Sequence, residues 1–439
     1  MSQQQILDTE QKQTPLIARG LLLPFALITF CFALWGFAND LTNPLVKAFG
    51  TIFNQSAFLS SFVQFAFYGG YCFMAIPAAL FIKRYSYKSG ILLGLALYAI
   101  GGMLFIPASW VGMFWPFCAS FFIMTCGLSF LETSANPYIL SMGADETATQ
   151  RLNLAQAFNP IGSIVGILAA KEWILAKMAE FSAEERGAMA AEQFEAVKMA
   201  DLAIVRGPYV AIGVVILVMF VLIMLTKMPT GKDASNTLNV GETFNRLWSN
   251  LRYRNGVIAQ AFYVGAQITV WTYTIHYGTE VLMSEGMLEA EAAAKAVDFN
   301  FYAMVLFGVS RFVCTFLLKY LQPGRLLMLL AIGAVVLLIP VIGVGGRVGL
   351  YSLVAISGCM SLMFPTIYGL ALKGVGEDAK LGAAGLVMAI AGGSLLPPLQ
   401  GLLLDQTNVF ISYIMPVGCF VAIALYGFRV PSYSTTHSE

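Results

Sequence analysis

The 439-residue chain reads as an all-α polytopic membrane protein, twelve transmembrane helices in two pseudo-symmetric six-helix bundles, and three observations carry that expectation. The first is composition: 58% of the residues are hydrophobic and 11% charged, where soluble domains run at about 25% charged. The second is spacing, because apolar runs long enough to cross a hydrocarbon layer about 30 Å thick recur along the whole chain. The third is the lack of a competing strand alternation; a lipid-exposed backbone must satisfy its own hydrogen bonds, which a helix does within one segment. Twenty-five Lys and Arg against 24 Asp and Glu leave a formal charge of +1, so no basic field exists to attract nucleic acid.

Taken in order, the first six runs fall at 21–47, 56–82, 90–108, 112–141, 151–174 and 207–228. The second six fall at 255–283, 297–319, 325–345, 349–373, 381–404 and 409–429. Residues 1–19 are polar and hold no apolar core followed by a cleavage site, so the first span is expected to direct insertion. Between the sets, Pro229, Thr230, Gly231 and Lys232 open a polar stretch at the midpoint of the chain. The expected organisation is therefore a tail 1–19, a bundle 20–228, a linker 229–254, a second bundle 255–430 and a tail 431–439. A weak repeat agrees with the halving: residues 81–90 have a counterpart in 317–325, and Asn136-Pro-Tyr is echoed by Phe364-Pro-Thr. Such duplication suits a transporter whose site lies between its halves, although basic, glycine-rich loops can converge on similar sequences.

With the N-terminus cytoplasmic, 16 of the Lys and Arg residues fall on the cytoplasmic side and eight on the other, five of them in the one long segment from 171 to 206. This bias places both termini in the cytoplasm. Cys31, Cys72, Cys118, Cys126, Cys314, Cys359 and Cys419 all lie in apolar stretches and read as small buried hydrophobes. The histidines are His276 and His437, too few for a His-based metal site, so no metal or cofactor is expected and an enzyme is disfavoured. His276 could tune a gate, but a solvated position near the outer end of span seven is the simpler expectation.

A charge at membrane depth costs about 2.5–3.5 kcal/mol on insertion scales and needs a partner, a water path or a function. Asp40, Glu132 and Arg311 lie well inside the predicted spans. A carboxylic acid shielded from water can hold a proton at neutral pH and release it when water arrives, the chemistry of a proton-coupled carrier. Asp40 sits in Trp35-Gly-Phe-Ala-Asn39-Asp40-Leu-Thr-Asn43-Pro44. Asn39 and Asn43 are one turn apart, so one helix face carries a carboxylate and amides; the alternative is that Asp40 caps a broken helix. Glu132 has Asn136 at i+4, followed by Pro137, and its alternative is a structural ion pair. Arg311 could pair with a carboxylate from another helix or anchor a gate, with a substrate contact the weaker option.

Gln156 and Asn159 lie three apart in the fifth span, in Arg151-Leu-Asn153-Leu-Ala-Gln156-Ala-Phe158-Asn159. Amides donate and accept together, as hydroxyls do. The seventh span spaces Gln260, Tyr263, Gln267, Trp271 and Thr274 along one stripe. An aromatic ring against a sugar's apolar face with amides at its rim is a binding arrangement, whereas interfacial anchoring or helix-to-helix glue would use similar residues.

These residues carry a resemblance. Trp35 to Pro44, Gln64 to Gly70, Lys83 to Gly90, Gly127 to Pro137 with its Leu-Glu-Thr-Ser-Ala-Asn-Pro, Arg151 to Asn159, Tyr263 to Gln267, Phe364 to Tyr368 and Gly376 to Lys380 resemble the major facilitator superfamily. Within it they resemble the fucose permease family of sugar:proton symporters, over about residues 20 to 430. The resemblance implies a twelve-helix fold working by alternating access, with a first-span aspartate and a fourth-span glutamate in proton coupling. Glu132 matches that glutamate, and Gln156 and Asn159 match polar residues of the sugar cavity. The family's aspartate usually falls where this chain has Asn43, so Asp40, one turn earlier, is read as its substitute, with Glu132 as sole carrier the alternative. His276 stands where the fucose permease has an arginine.

The expected function is proton-coupled import of a neutral monosaccharide, L-fucose or a related hexose, across a bacterial inner membrane by a monomer in the lipid bilayer. The expected coupling residues are Glu132 and Asp40. Sugar contacts are expected at Asn39, Asn43, Asn136, Gln156, Asn159, Tyr263, Gln267 and Trp271, with Arg311 a structural or gating charge. The alternatives are a sodium-coupled hexose or N-acetylhexosamine symporter and, further off, a drug exporter.

Overall fold

A computed structural model describes residues 17, 20–140, 142–143, 154–156, 158–228, 240–317, 320–373, 375 and 378–430. The expected features at 151–153, at the linker opening 229–239 and in most of the two tails lie outside the described residues. Twelve helical spans are present among the described residues. Span 1 is Leu22–Thr42, continued past Asn43-Pro44 as Leu45–Phe53. A turn of helix at Ala57–Ser60 leads into span 2, Phe62–Arg84. Span 3 is Tyr87–Met103 with Phe105–Val111, span 4 is Phe114–Leu140, and span 5 is Phe158–Ala169 extended by a π-helical turn at Ala170–Ile174. Span 6 is Ala191–Leu225.

In the second half, span 7 is Leu251–Ser284, span 8 Glu289–Leu317 and span 9 Pro323–Gly343. Span 10 is Gly346–Met360 with Met363–Leu372, and span 12 is Val409–Ser412 with Ile414–Arg429. Span 11 joins Ala379–Met388 and Gly392–Gln406 through a 3-10 turn at Ala389–Ala391.

Ten stretches of the described chain are long and apolar enough to cross a membrane, which makes this a multi-pass membrane protein; spans 5 and 7 complete the twelve. Span 6 begins 16 residues before the predicted 207, and span 8 eight before 297. The added turns, Ala191 to Arg206 and Glu289 to Ala296, are rich in Ala, Glu and Lys. All three favour helix, and the charged Glu and Lys lower the hydropathy of these turns, so hydropathy located the membrane part and missed the helical extension beyond it.

The two halves repeat one packing scheme. Spans 1 and 5, 2 and 4, 3 and 4, and 3 and 6 pack together in the first half; spans 7 and 11, 8 and 10, 9 and 10, and 9 and 12 do so in the second. The halves meet where span 2 packs on span 11 and span 5 on span 8, itself a symmetric exchange. The 1–5 and 7–11 pairs are the tightest for one physical reason. A Cβ on Gly162 would run into the carbonyl of Ala33, and one on Gly392 into that of Ala261. Backbone thus meets backbone at both places, as small residues permit in membranes.

The segment before span 6 is pinned by a buried ion pair. Arg186 donates through Nη2 to Asp201 Oδ2 at 2.6 Å and to the Ala179 carbonyl at 3.2 Å, while Asp201 Oδ1 accepts from the Ala179 N–H at 2.9 Å. In the linker region, a helix at Val240–Ser249 buries Leu247 against Tyr253, Ala371 and Leu386. Arg246 fastens it by donating to both carboxylate oxygens of Asp378, at 2.9 and 2.8 Å.

Candidate functional site

A cavity of ≈ 220 Å³ lies between the halves, lined by spans 1, 2, 4, 5, 7, 8, 10 and 11. It is smaller than the pockets that hold drug-sized ligands, about 300–1,000 Å³, and suits a small solute. From the first half, Asn39, Asp40, Glu132, Gln156 and Asn159 reach it. Tyr263, Gln267, Trp271 and Arg311 reach it from the second.

Local geometry explains why they converge. Spans 1 and 5 touch through Gly36 and Gly162, so Asn159 and Ser163 stand beside Asn39 and Asp40, and the Asn159 amide donates to the Phe32 carbonyl at 3.2 Å. Glu132 is on the inner face of span 4; its Oε2 is buried with no hydrogen-bond partner. Asn39 Oδ1 is in the same condition. Buried polar groups are nearly always satisfied, so these two unfilled oxygens in one cavity mark where a polar ligand or a proton would be accommodated.

Asn43 and Asn136 do not line the cavity. Asn43 stands behind Asp40 and donates to its Oδ1 at 2.9 Å. Asn136 accepts from Gln156 Nε2 at 3.0 Å and donates to the Glu132 carbonyl at 3.1 Å, holding Gln156 in place. Both were expected to touch sugar directly, and here each is a support for a residue that faces the cavity. The reason is spacing: a step of four residues brings a side chain back to nearly the same face but one turn along the axis, past the cavity wall.

In span 7 the stripe divides. Tyr263, Gln267 and Trp271 face the cavity, whereas Gln260 is buried away from it and the Thr274 hydroxyl donates to the Val270 carbonyl at 2.6 Å. Trp271 is rigidly placed: its Nε1 donates to Ser357 Oγ at 3.0 Å, its carbonyl accepts from Asn300 at 3.0 Å, and its ring meets Phe307 edge-on at 5.3 Å. Arg311 donates through Nε to the Ser361 carbonyl at 3.2 Å, at the break in span 10, and its guanidinium lies 4.9 Å from the Phe307 ring centre. His276 is half-buried with its ring 5.1 Å from that of Tyr273, rather than solvated.

Sequence reasoning passed over four aromatic cavity residues of the first half, Phe32 among them. Trp35, Tyr68 and Tyr71 line the cavity, with Tyr71 ring centres 6.4 Å from both Trp35 and Tyr68. The signal was present, since Trp35 is one turn before Asn39 and Tyr68 one turn after Gln64.

Two six-helix bundles enclosing a cavity lined by carboxyl groups, amides and aromatic rings define a multi-pass carrier architecture. The family model described as Major Facilitator Superfamily matches residues 28–396, and the chain belongs to that superfamily. It is 50% identical over 425 residues to the L-fucose-proton symporter of Haemophilus influenzae, covering 94% of this chain and 97% of that protein. To the L-fucose-proton symporter of Escherichia coli it is 35% identical over 414 residues, covering 93% of each. The crystal structure of the E. coli protein, FucP, in the outward conformation superposes with a TM-score of 0.71 at 34% identity, over 94% of this chain and 99% of that one. A glucose/galactose transporter of Brucella abortus is 31% identical over 400 residues.

Proposed function

We propose that this protein imports a neutral monosaccharide, L-fucose or a related hexose, together with protons, by alternating access across a bacterial inner membrane. The observation that carries the reading is the single cavity in which Asp40 and Glu132 stand among amides and aromatic rings. Relatives named as L-fucose-proton symporters, at 50% and 35% identity over nearly the full chain, support the sugar and the ion. Both termini are placed in the cytoplasm by the distribution of Lys and Arg, the linker region 229–254 joins bundles 20–228 and 255–430, and the unit of function is a monomer.

In this reading Asp40 and Glu132 carry the proton coupling. Asn39, Gln156, Asn159 and Gln267 present donors and acceptors to hydroxyls, while Trp271 and Tyr263 offer faces to the sugar ring. Asn43 and Asn136 position Asp40 and Gln156, and Arg311 braces spans 8 and 10. With its carboxylates protonated the cavity takes sugar from outside; the halves rock, and water reaching the carboxylates from inside releases proton and sugar. Per proton, a potential near 100 mV supplies about 2.3 kcal/mol, enough for about fiftyfold accumulation.

The test is uptake of radiolabelled L-fucose into proteoliposomes under an imposed acid-outside gradient, with competing hexoses and N-acetylhexosamines. Accumulation driven by protons and abolished in Glu132→Gln, with exchange of sugar retained, is the expected result. Accumulation driven by a sodium gradient instead, or full proton-driven accumulation by Glu132→Gln, overturns the assignment.

A further inference from the structure

We propose that Asn43, Gln64 and Thr272 form a reversible relay of hydrogen bonds that reports the protonation state of Asp40 to the other half of the protein. The inference rests on the reading of Asp40 as a proton-coupling group. The chain of contacts is continuous and buried. Asn43 Nδ2 donates to Asp40 Oδ1 at 2.9 Å, and Gln64 Nε2 donates both to Asn43 Oδ1 at 3.0 Å and to Thr272 Oγ1 at 3.0 Å. Asp40 and Asn43 belong to span 1, Gln64 to span 2 and Thr272 to span 7, so the last bond crosses between the halves. Thr272 adjoins Trp271 of the cavity wall.

The direction of every bond follows from the first. A carboxylate only accepts, so an ionised Asp40 obliges Asn43 to turn its NH2 towards it. Asn43 then shows its carbonyl to Gln64, Gln64 must answer with its NH2, and Thr272 accepts. Placing a proton on Asp40 removes that obligation. The carboxylic O–H can donate to the Asn43 carbonyl; both amides then turn over, Asn43 donates to the Gln64 carbonyl, and the Thr272 hydroxyl donates to the same oxygen. Each arrangement contains three hydrogen bonds, and no covalent bond is made or broken beyond the proton gained by Asp40.

A second observation points the same way. Gln64 Oε1 is buried and has no hydrogen-bond partner in the ionised arrangement, and turning the amide over gives that oxygen two donors while leaving the NH2 without an acceptor. Either polarity leaves one group of Gln64 unmet, so neither is locked, which is the property a switch element requires. Gln64 and Thr272 are thus positioning residues for coupling. The titratable and charged groups sharing the cavity with Asp40 are Glu132 of span 4, Tyr68 and Tyr71 of span 2, Tyr263 of span 7 and Arg311 of span 8, with the Ser163 hydroxyl of span 5 beside them. None of them belongs to the relay.

The experiment uses the full chain in proteoliposomes with radiolabelled L-fucose, measuring equilibrium exchange and accumulation under an acid-outside gradient across a pH series. Thr272→Val keeps the side-chain shape and removes the hydroxyl; Thr272→Ser keeps the hydroxyl; Gln64→Leu removes the amide. Exchange is expected to persist in all three. Accumulation should fall about tenfold in Thr272→Val and Gln64→Leu, the factor for one buried hydrogen bond, with a displaced pH profile, and Thr272→Ser should restore both. Parent-like accumulation and pH profile in Thr272→Val, or failure of Thr272→Ser to rescue, overturns the relay even if Gln64→Leu does not fold. A parent protein whose uptake ignores the proton gradient overturns the underlying symport reading, and the relay with it.

Discussion

Neutralising Glu289 should open the protein at the face opposite the one where span 1 begins. Glu289, the first residue of span 8, accepts from Lys47 Nζ at 2.9 Å and from the Ala183 N–H at 3.3 Å, so it ties the second half to two segments of the first. Two further ties lie at the same face. Lys171 pairs with Asp298, and Asp405 accepts from the N–H groups of Ala57 and Phe58 at 2.9 and 2.8 Å. The Lys47 and Glu289 side chains are 23% and 15% exposed. Their pair therefore falls between an exposed bridge, at about 0.2–1 kcal/mol, and a buried one, whose breaking costs about 3–5 kcal/mol. Taking about 1–2 kcal/mol, loss of the pair shifts the ratio of open to closed forms by about 5- to 30-fold. Spin labels on the two halves at this face would report it: Glu289→Gln should move population to longer distances, and exchanging the charges, Lys47→Glu with Glu289→Lys, should move it back. An unchanged distance distribution in Glu289→Gln would refute the latch, because it would mean that the pair forms without biasing the equilibrium.

Three other outcomes are expected. Asp201→Ala strands Arg186, whose side chain is fully buried, so the midpoint of thermal unfolding in detergent should drop by an amount corresponding to about 3–5 kcal/mol. Asn136→Leu releases Gln156 from its 3.0 Å hydrogen bond and should raise the apparent KM for sugar about five- to tenfold, read from initial uptake rates, with little change in protein stability. The Arg246 guanidinium, bonded to both oxygens of Asp378, holds that carboxyl below its ordinary value of 3.8; a depressed folded pKa gives a contribution present above the ordinary value and lost as pH falls through the folded one. Protection of the Val240–Ser249 amides from hydrogen exchange, taken relative to the intrinsic rate at each pH, should therefore be flat from pH 5 to 8, fall below about pH 4 in the parent, and be lowered from pH 5 to 8 in Arg246→Ala.

The spans were legible because burial in lipid imposes one pattern on sequence, a long apolar run, and nothing soluble imitates it for 439 residues. The carboxylates were legible because a charge at that depth is expensive; Asp40, Glu132 and Arg311 all reach the same cavity. Depth along an axis was less legible than face. Asn43 and Asn136 repeat the faces of Asn39 and Glu132, yet one turn of translation took both behind the wall, where they orient a neighbour. Inter-helix partners were not legible at all: nothing in the sequence joins Gln64 to Thr272, 208 positions apart, because that contact depends on how two bundles are docked.

Span 7 makes the relation between fold and site concrete. It is 34 residues long but is not among the stretches apolar enough to cross a membrane on composition, since Gln, Tyr, Thr, Trp and His interrupt it. A helix so polar persists at membrane depth because spans 8, 10, 11 and 12 pack around it and several of its polar groups find partners inside the bundle, as Trp271 does in Ser357 and Tyr263 in the Met360 carbonyl. Its symmetry mate is span 1, which holds the corresponding place in the first half through the same glycine-mediated packing. The scaffold is repeated, but the chemistry on it is not: span 1 brings Asn39 and Asp40 to the cavity where span 7 brings Tyr263, Gln267 and Trp271. A solute in between meets carboxyl groups, Asp40 and Glu132, from the first half only, while amides and aromatic rings reach it from both. Whatever the acids sense reaches the second half through contacts between the bundles, and the buried hydrogen bond from Gln64 to Thr272 is one that joins the Asp40–Asn43 pair to the residue next to Trp271.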